Sequence, residues 1–273
     1  MPLTPVQMKI TRILAKNRTP DSHLAGGAAL HFAPNSRRYS NDLDYFHDSV
    51  ERVATAYQDD RGELERNGFR VELEMNQPGY LRALVSLDGD TTKIEWAHDS
   101  AWRFMPAMSN PDVGFRLHPI DIAVNKVLAL AGRDEPRDFL DILYINRNIL
   151  PLGPLCWAAA GKDPGFNPLS LLELLKRRGR YRPEDFSALM VIDPIDLPGM
   201  KAEWLGMLED AETFIRSAPP DQVGCLYYSR KLQSFVDPLN SGADDTEPHF
   251  GRPGGVLPKF YPGEPFQEST GGA

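Results

Sequence analysis

Two aspartates one residue apart, Asp42 and Asp44, follow a glycine pair in one short stretch. It reads Leu24-Ala25-Gly26-Gly27-Ala28-Ala29-Leu30, then Arg38-Tyr39-Ser40-Asn41-Asp42-Leu43-Asp44-Tyr45-Phe46. A strand that turns through Gly-Gly into a helix lets backbone N–H groups approach an anion closely, because no Cβ intervenes. The following helix adds its positive dipole end. Alternate residues of a strand share a face, so Asp42 and Asp44 point one way and Leu43 points into the core. Ser40 and Arg38 join the aspartates if the extended backbone starts early. Paired carboxylates repel unless a cation sits between them. Two metal ions ~4 Å apart would use such a pair to activate a hydroxyl and steady a pyrophosphate leaving group. Carboxylate and phosphate oxygens favour Mg²⁺, with Mn²⁺ as the alternative.

A third acid is offered by Glu95 in Ile94-Glu95-Trp96. With Ile94 and Trp96 buried on one face of a strand, Glu95 faces the other. Glu72 and Glu74 alternate in the same way, but their neighbours Arg70, Asn76 and Gln77 mark them as solvent-facing. Each piece alone has a bland reading: a turn, a solvated loop, a surface strand residue. Their order and spacing together favour the site. His31, His118 and His249 have no ligand partners at sensible spacing, and none is given a metal role.

The elements that must position these residues follow from periodicity and punctuation. Val6, Met8, Ile10, Ile13 and Leu14 predict a short helix over 4–17, and Ser49 caps a helix that stops at Asn67-Gly68. Strands are expected at 42–46, 69–75, 80–87 and 92–96, with Asp88-Gly89-Asp90 as a hairpin turn. Pro119 and Pro136 open helices, and further helices are expected near 168–178 and 199–217. The fold class is therefore α/β (α+β). A small mixed-sheet core over 1–115 precedes a mostly helical part over 116–236. A proline- and glycine-rich tail over 237–273 reads as disordered.

The chain has 273 residues, 30 basic against 38 acidic, and a net charge of −8. A nucleic-acid partner would need a local basic surface, since phosphate contacts supply most of the affinity. The densest is Lys176-Arg177-Arg178-Gly179-Arg180-Tyr181-Arg182, where Tyr181 offers a stacking surface and a solvated helix end is the bland alternative. No apolar run approaches the ~18–20 residues that span a bilayer. The N-terminal stretch lacks a signal-peptide core. The two cysteines, Cys156 and Cys225, read as reduced thiols, so a cytoplasmic location is expected.

The Gly26-Gly27 and Arg38-x-Ser40-x-Asp42-Leu43-Asp44 stretch resembles the first motif of the AbiEii/AbiGii toxin family of nucleotidyltransferases. These belong to the DNA polymerase β-like superfamily and include the MenT toxins. Lys126, Arg133 and Arg137-Asp138-x-x-Asp141 resemble the family's helical signature, and the likeness covers roughly residues 20–145. It implies a nucleotidyltransferase core in which Asp42, Asp44 and Glu95 bind the metals and act in catalysis. Gly26, Gly27, Arg38 and Ser40 would hold the nucleotide. Lys126 with Asp138 or Asp141 would contact nucleotide or support the site. Two departures stand out: the corner is Gly-Gly rather than Gly-Ser, and the third acid is Glu rather than Asp. Without the family, Lys126 reads as a snorkelling lysine, and Arg137 with Asp141 as a plain i,i+4 pair.

The resemblance implies transfer of a nucleoside monophosphate from an NTP to an RNA acceptor such as the 3′ end of tRNA, with a cognate antitoxin as partner. A small-molecule acceptor such as an antibiotic, and a nucleotide- or antitoxin-binding protein with little turnover, are the rival readings.

Overall fold

The computed structural model describes residues 3–32, 38–192, 194–240, 242 and 245–262. Helix α1 (Pro5–Leu14) starts at Thr4, whose hydroxyl accepts from the Gln7 backbone in a capping box. The Gln7 side chain also donates to the Ser40 carbonyl (3.0 Å) and the Thr92 hydroxyl (3.1 Å), tying α1 to the approach of the acidic strand. Strand β1 (Ser22–Ala25) runs into α2 (Gly26–Leu30), and β2 (Asp42–His47) into α3 (Val50–Arg66). Ser49 caps α3, and the helix ends at Asn67 before Gly68. A meander follows: β3 (Arg70–Gln77), β4 (Tyr80–Leu87) and β5 (Asp90–His98). Asp88 and Gly89 both have positive φ, 53° and 92°, as a two-residue hairpin turn of this hand requires.

Short strands β6 (Trp102–Arg103), β7 (Met108–Asn110) and β8 (Gly114–Arg116) lead to the helices. The main sheet has the order β3-β4-β5-β2-β1-β8-β7 and is mixed. β2 runs parallel to β5 and β1 parallel to β8, and the remaining pairs are antiparallel. The expected α/β (α+β) class is the one observed. Behind the sheet, Leu43, Tyr45, Ile94 and Trp96 are fully buried, and Tyr57 of α3 meets the Trp96 ring edge-on at 5.2 Å. Asp60 of α3 is buried there too. It binds both oxygens to Arg18 (2.5 and 2.6 Å) and accepts from the Trp96 indole at 2.7 Å.

Helices α4 (Pro119–Gly132), α5 (Pro136–Asn148), α6 (Leu152–Lys162), α7 (Pro168–Leu175) and α8 (Leu197–Ser217) form the other layer. Helix α6 is absent from the sequence reading because Gly153-Pro154 mimics a loop and its surface is apolar nearly all round. Such a helix has no polar face to set a period. The bare Gly153 lets it pack directly on α8, beside Ala211 and Phe214.

Strands β9 (Cys225–Ser229), β10 (Ser234–Val236) and β11 (Thr246–Phe250) make a small antiparallel sheet, and β12 (Arg252–Pro253) pairs with β6. Part of the stretch expected as a disordered tail is thus regular. β11 is an edge strand, where Pro248 is tolerated, and His249 hydrogen-bonds the Phe104 carbonyl at 2.9 Å. The rest of that expectation, over 263–273 and at 241, 243 and 244, lies outside the described residues.

The rear ion pair yields a stability test. Asp60→Ala leaves a fully buried guanidinium without its counter-charge and should cost about 3–5 kcal/mol. Denaturant unfolding measures this, and a loss below about 1 kcal/mol would show that Arg18 does not depend on Asp60.

Candidate active site

The register of β2 assembles the acidic site. Parallel pairing sets Asp44 beside Glu95 of β5, and antiparallel pairing sets Ala25 beside Asp44 on its other flank. The chain turns immediately after Ala25, so the glycine corner arrives at the Asp44 carboxylate. Gly26 has φ +59°, and a Cβ there would lie 1.8 Å from Asp44 Oδ2. No other residue fits that backbone and that space. A Cβ on Gly27 would lie 2.9 Å from an Arg38 nitrogen and 3.1 Å from the Ser40 hydroxyl. Arg38 and Ser40 therefore join the site, as the sequence spacing implies. Helix α2 spans only five residues, so its dipole is small and the positive charge here comes from side chains.

Asp42, Asp44 and Glu95 line one cleft together with Gly26, Gly27, Arg38 and Ser40. The facing wall is α4 and α5, which contribute Asn125, Lys126, Arg133 and Arg137. Leu189 closes one side. Ser40 donates to Asp42 at 3.2 Å, and Arg137 reaches the other Asp42 oxygen at 3.1 Å. Arg82 of β4 pairs with Glu95 at 2.8 Å. Burial, then the neighbouring Asp42 and Glu95 carboxylates, push Asp44 up to about 7. Burial and the nearby Glu95 lift the Tyr80 phenol to about 12.

Asp138 and Asp141, expected to contact nucleotide or support the site, are fully buried in α5 and are not among the residues lining the cleft. They are anchors for the cations that line it. Lys126 places its ammonium 2.9 Å from Asp138 and 2.7 Å from Asp141. Arg133 binds Asp138 at 2.7 Å. Arg38 grips Asp141 with two nitrogens, at 2.9 and 3.0 Å, and His31 adds a contact at 2.8 Å. Burial works to raise Asp141, but Lys126, Arg38 and His31 outweigh it and hold the carboxyl far below its usual range.

Two simpler readings are corrected. Lys126 is buried rather than snorkelling. Arg137 passes over Asp141, its i,i+4 neighbour, to reach Asp42 95 residues earlier in the chain. Arg82, Arg133 and Arg137 were not among the expected site residues. Arg82 was readable in principle, because counting back from the Asp88-Gly89 turn sets it opposite Glu95.

The basic segment 176–182 lies against the carboxyl end of α4. Arg178 caps the carboxyl end of α4 through the Leu130 and Ala131 carbonyls (3.1 and 2.6 Å), and buried Tyr181 donates to Asp134 at 2.6 Å. Tyr181 is thus not free to stack on a base. Arg177, Arg180 and Arg182 are exposed.

No family model matches the chain, and no curated protein does. Among solved structures the chain is similar to MenT4, a nucleotidyltransferase toxin from Mycobacterium tuberculosis. The identity is 16%, the match covers 79% of this chain and 83% of that one, and the TM-score is 0.49. It is also similar to JHP933 from Helicobacter pylori, at 17% identity over 77% of this chain and 91% of that one, with a TM-score of 0.46.

Two outcomes check the geometry of the cleft. Gly26→Ala should cost more than ~1 kcal/mol, and part of the loss should return in the Gly26→Ala, Asp44→Ala double variant, where the clash is gone. Simple additivity would mean the two residues do not touch. The second concerns pH. The Asp44 pKa is raised in the fold from 3.8 to about 7, so its contribution to stability is full below about pH 4 and is lost as pH rises through 7. In metal-free buffer at pH 8, Asp44→Asn should therefore melt roughly 8 °C above the wild type, and the gap should close toward pH 4. A gap independent of pH contradicts the assignment.

Proposed function

We propose that the protein is a metal-dependent nucleotidyltransferase that moves a nucleoside monophosphate from an NTP to an acceptor hydroxyl. The observation that carries this reading is a row of three carboxylates on one sheet face, opposite a wall of cations, with a bare glycine corner against the central acid. In the transfer the acceptor oxygen bonds to the α-phosphorus. The bond from that phosphorus to the bridging oxygen breaks, and pyrophosphate leaves with the electron pair. The hydroxyl proton passes to the Glu95 carboxylate.

The donor set suits Mg²⁺, or Mn²⁺ in its place. All three groups are hard oxygen donors, and the raised Asp44 pKa marks a surplus of negative charge that a divalent cation would relieve. Among the described residues, no three His, Cys, Asp or Glu side chains already close around one ion. Arg137 and Arg82 hold Asp42 and Glu95 instead. Asp42, Asp44 and Glu95 would hold the metal, which would supply charge neutralisation at the phosphates. Arg38, Arg133 and Arg137 would hold the triphosphate. Gly26 and Gly27 would admit it close to the backbone, and Lys126 would fix Asp138 and Asp141 behind them.

The acceptor in this reading is RNA, such as the 3′ end of tRNA, and the biological setting is a toxin with a cognate antitoxin. In the same proposal the chain divides at 115 and 236 into a nucleotidyltransferase core, a helical domain and a tail. Among the described residues, no helix is long and apolar enough to cross a membrane.

Incubation with total tRNA, Mg²⁺ and each labelled NTP in turn tests the reading. At least one NTP should label RNA, and Asp44→Ala should abolish it. Absence of label in RNA with every NTP overturns the RNA reading, and label in a small molecule replaces it. Arg133→Ala and Arg137→Ala should each raise the NTP KM about tenfold, the worth of one charge-assisted contact. An unchanged NTP KM in both would place the triphosphate elsewhere.

A further inference from the structure

The transferase reading leaves open from which side the acceptor enters. The components of the cleft lie in sequence across the sheet. At the β1 side is the glycine corner, whose helix α2 packs against α4 and meets α5 through the His31–Asp141 contact, so the cations of the facing wall extend from this side to Asp42, which Arg137 reaches. Asp42 and Asp44 follow on β2, then Glu95 on β5, then Arg82 and Tyr80 on β4. An in-line displacement sets the entering oxygen opposite the leaving pyrophosphate. With pyrophosphate held at the cationic end, the entering oxygen comes from beyond Glu95.

That end opens onto a broad sheet surface. The rear face of the meander is sealed by α3 over Leu81, Ala83, Val85, Ile94 and Trp96. On the front face Tyr80, Arg82 and Leu84 are half-buried and Lys93 is exposed, with exposed Glu72 of β3 beside Leu84. Register places Arg82 directly beside Glu95, and Lys93 beside both Asp42 and Leu84. The Arg82 guanidinium lies 5.6 Å from the centre of the Tyr80 ring. The surface is an open sheet rather than a concave pocket, the usual form of a small-molecule site. An aromatic ring and two cations on such a face fit a polymer end, with a base to stack and phosphates to neutralise.

We infer that the front face of β4 and β5, through Tyr80, Arg82 and Lys93, is the docking surface for the 3′ end of a nucleic-acid acceptor. This rests on the transferase reading and assigns its acceptor side. Tyr80 stacks the terminal base, Lys93 meets a backbone phosphate, and Arg82 exchanges Glu95 for the incoming strand. The basic segment 176–182, which abuts the carboxyl end of α4 and so stands at the pyrophosphate end, does not receive the reacting terminus.

Kinetics and crosslinking test this with total tRNA as the probe. Tyr80→Ala should raise the tRNA KM about tenfold and leave the NTP KM within about twofold, since stacking serves only the acceptor. Tyr80→Phe, which keeps the ring and loses only the hydroxyl's contacts with Glu95 and Arg82, should keep the wild-type tRNA KM. A photoreactive benzoylphenylalanine at position 93 should crosslink tRNA, and the same group at position 180 should crosslink it far less. The crosslink needs no turnover, so it reports on this face even if no label is transferred, and a melting curve confirms that each variant folds. Crosslinking confined to position 180, or a Tyr80→Ala variant whose NTP KM rises as much as its tRNA KM, overturns the inference.

Discussion

Three carboxylates on one face of a sheet repel each other, and the charged residues around the cleft are arranged in response. Asp44 bears the repulsion most, because it stands between Asp42 and Glu95 with the glycine corner pressed against it. Arg137 offsets Asp42 and Arg82 offsets Glu95, while Asp44 has no arginine of its own within hydrogen-bond reach among the described residues. The uncompensated charge therefore sits at the centre of the row. A fold selected only for stability would have no reason to keep it there.

A second, buried anion makes the arrangement rigid. Asp141 draws Lys126, Arg38 and His31 onto one carboxylate, and Asp138 takes Lys126 and Arg133. Removing two charges from water is costly unless they are paired and hydrogen-bonded. Here the pairing is multiple, and it joins α2, the 38–40 segment, α4 and α5. The cations of the wall are thus set by acids behind them, which leaves their outer faces toward the cleft. In the proposed reading, Asp138 and Asp141 act through these cations.

The acidic row was legible in the sequence because strand alternation is strict. Asp44 and Glu95 each sit between core residues, and Asp42 shares the Asp44 face on the other side of buried Leu43, so only one face remained for them. The glycine corner was legible for the same local reason. Most of the partners were not, since no local pattern says that Arg137 will reach Asp42 rather than Asp141, or that Lys126 will turn inward. Those choices follow from how α4 and α5 pack against α2, a relation between distant segments. Helix α6 and strand β11 escaped because Gly153-Pro154 and Pro248 carry turn chemistry even where tertiary pairing imposes regular structure. Tyr181 looked available for stacking because composition does not report burial.

The claim on which the account turns is that Asp42, Asp44 and Glu95 bind divalent metal together with a nucleotide. A crystal grown with Mn²⁺ and a non-hydrolysable NTP, measured at the manganese absorption edge, examines it directly. The account expects anomalous density between Asp42 and Asp44, with Glu95 contacting the same site and Arg137 shifted from Asp42 to the phosphates. Nucleotide bound in the cleft without anomalous density at these carboxylates, or Mn²⁺ held at other residues, would contradict it.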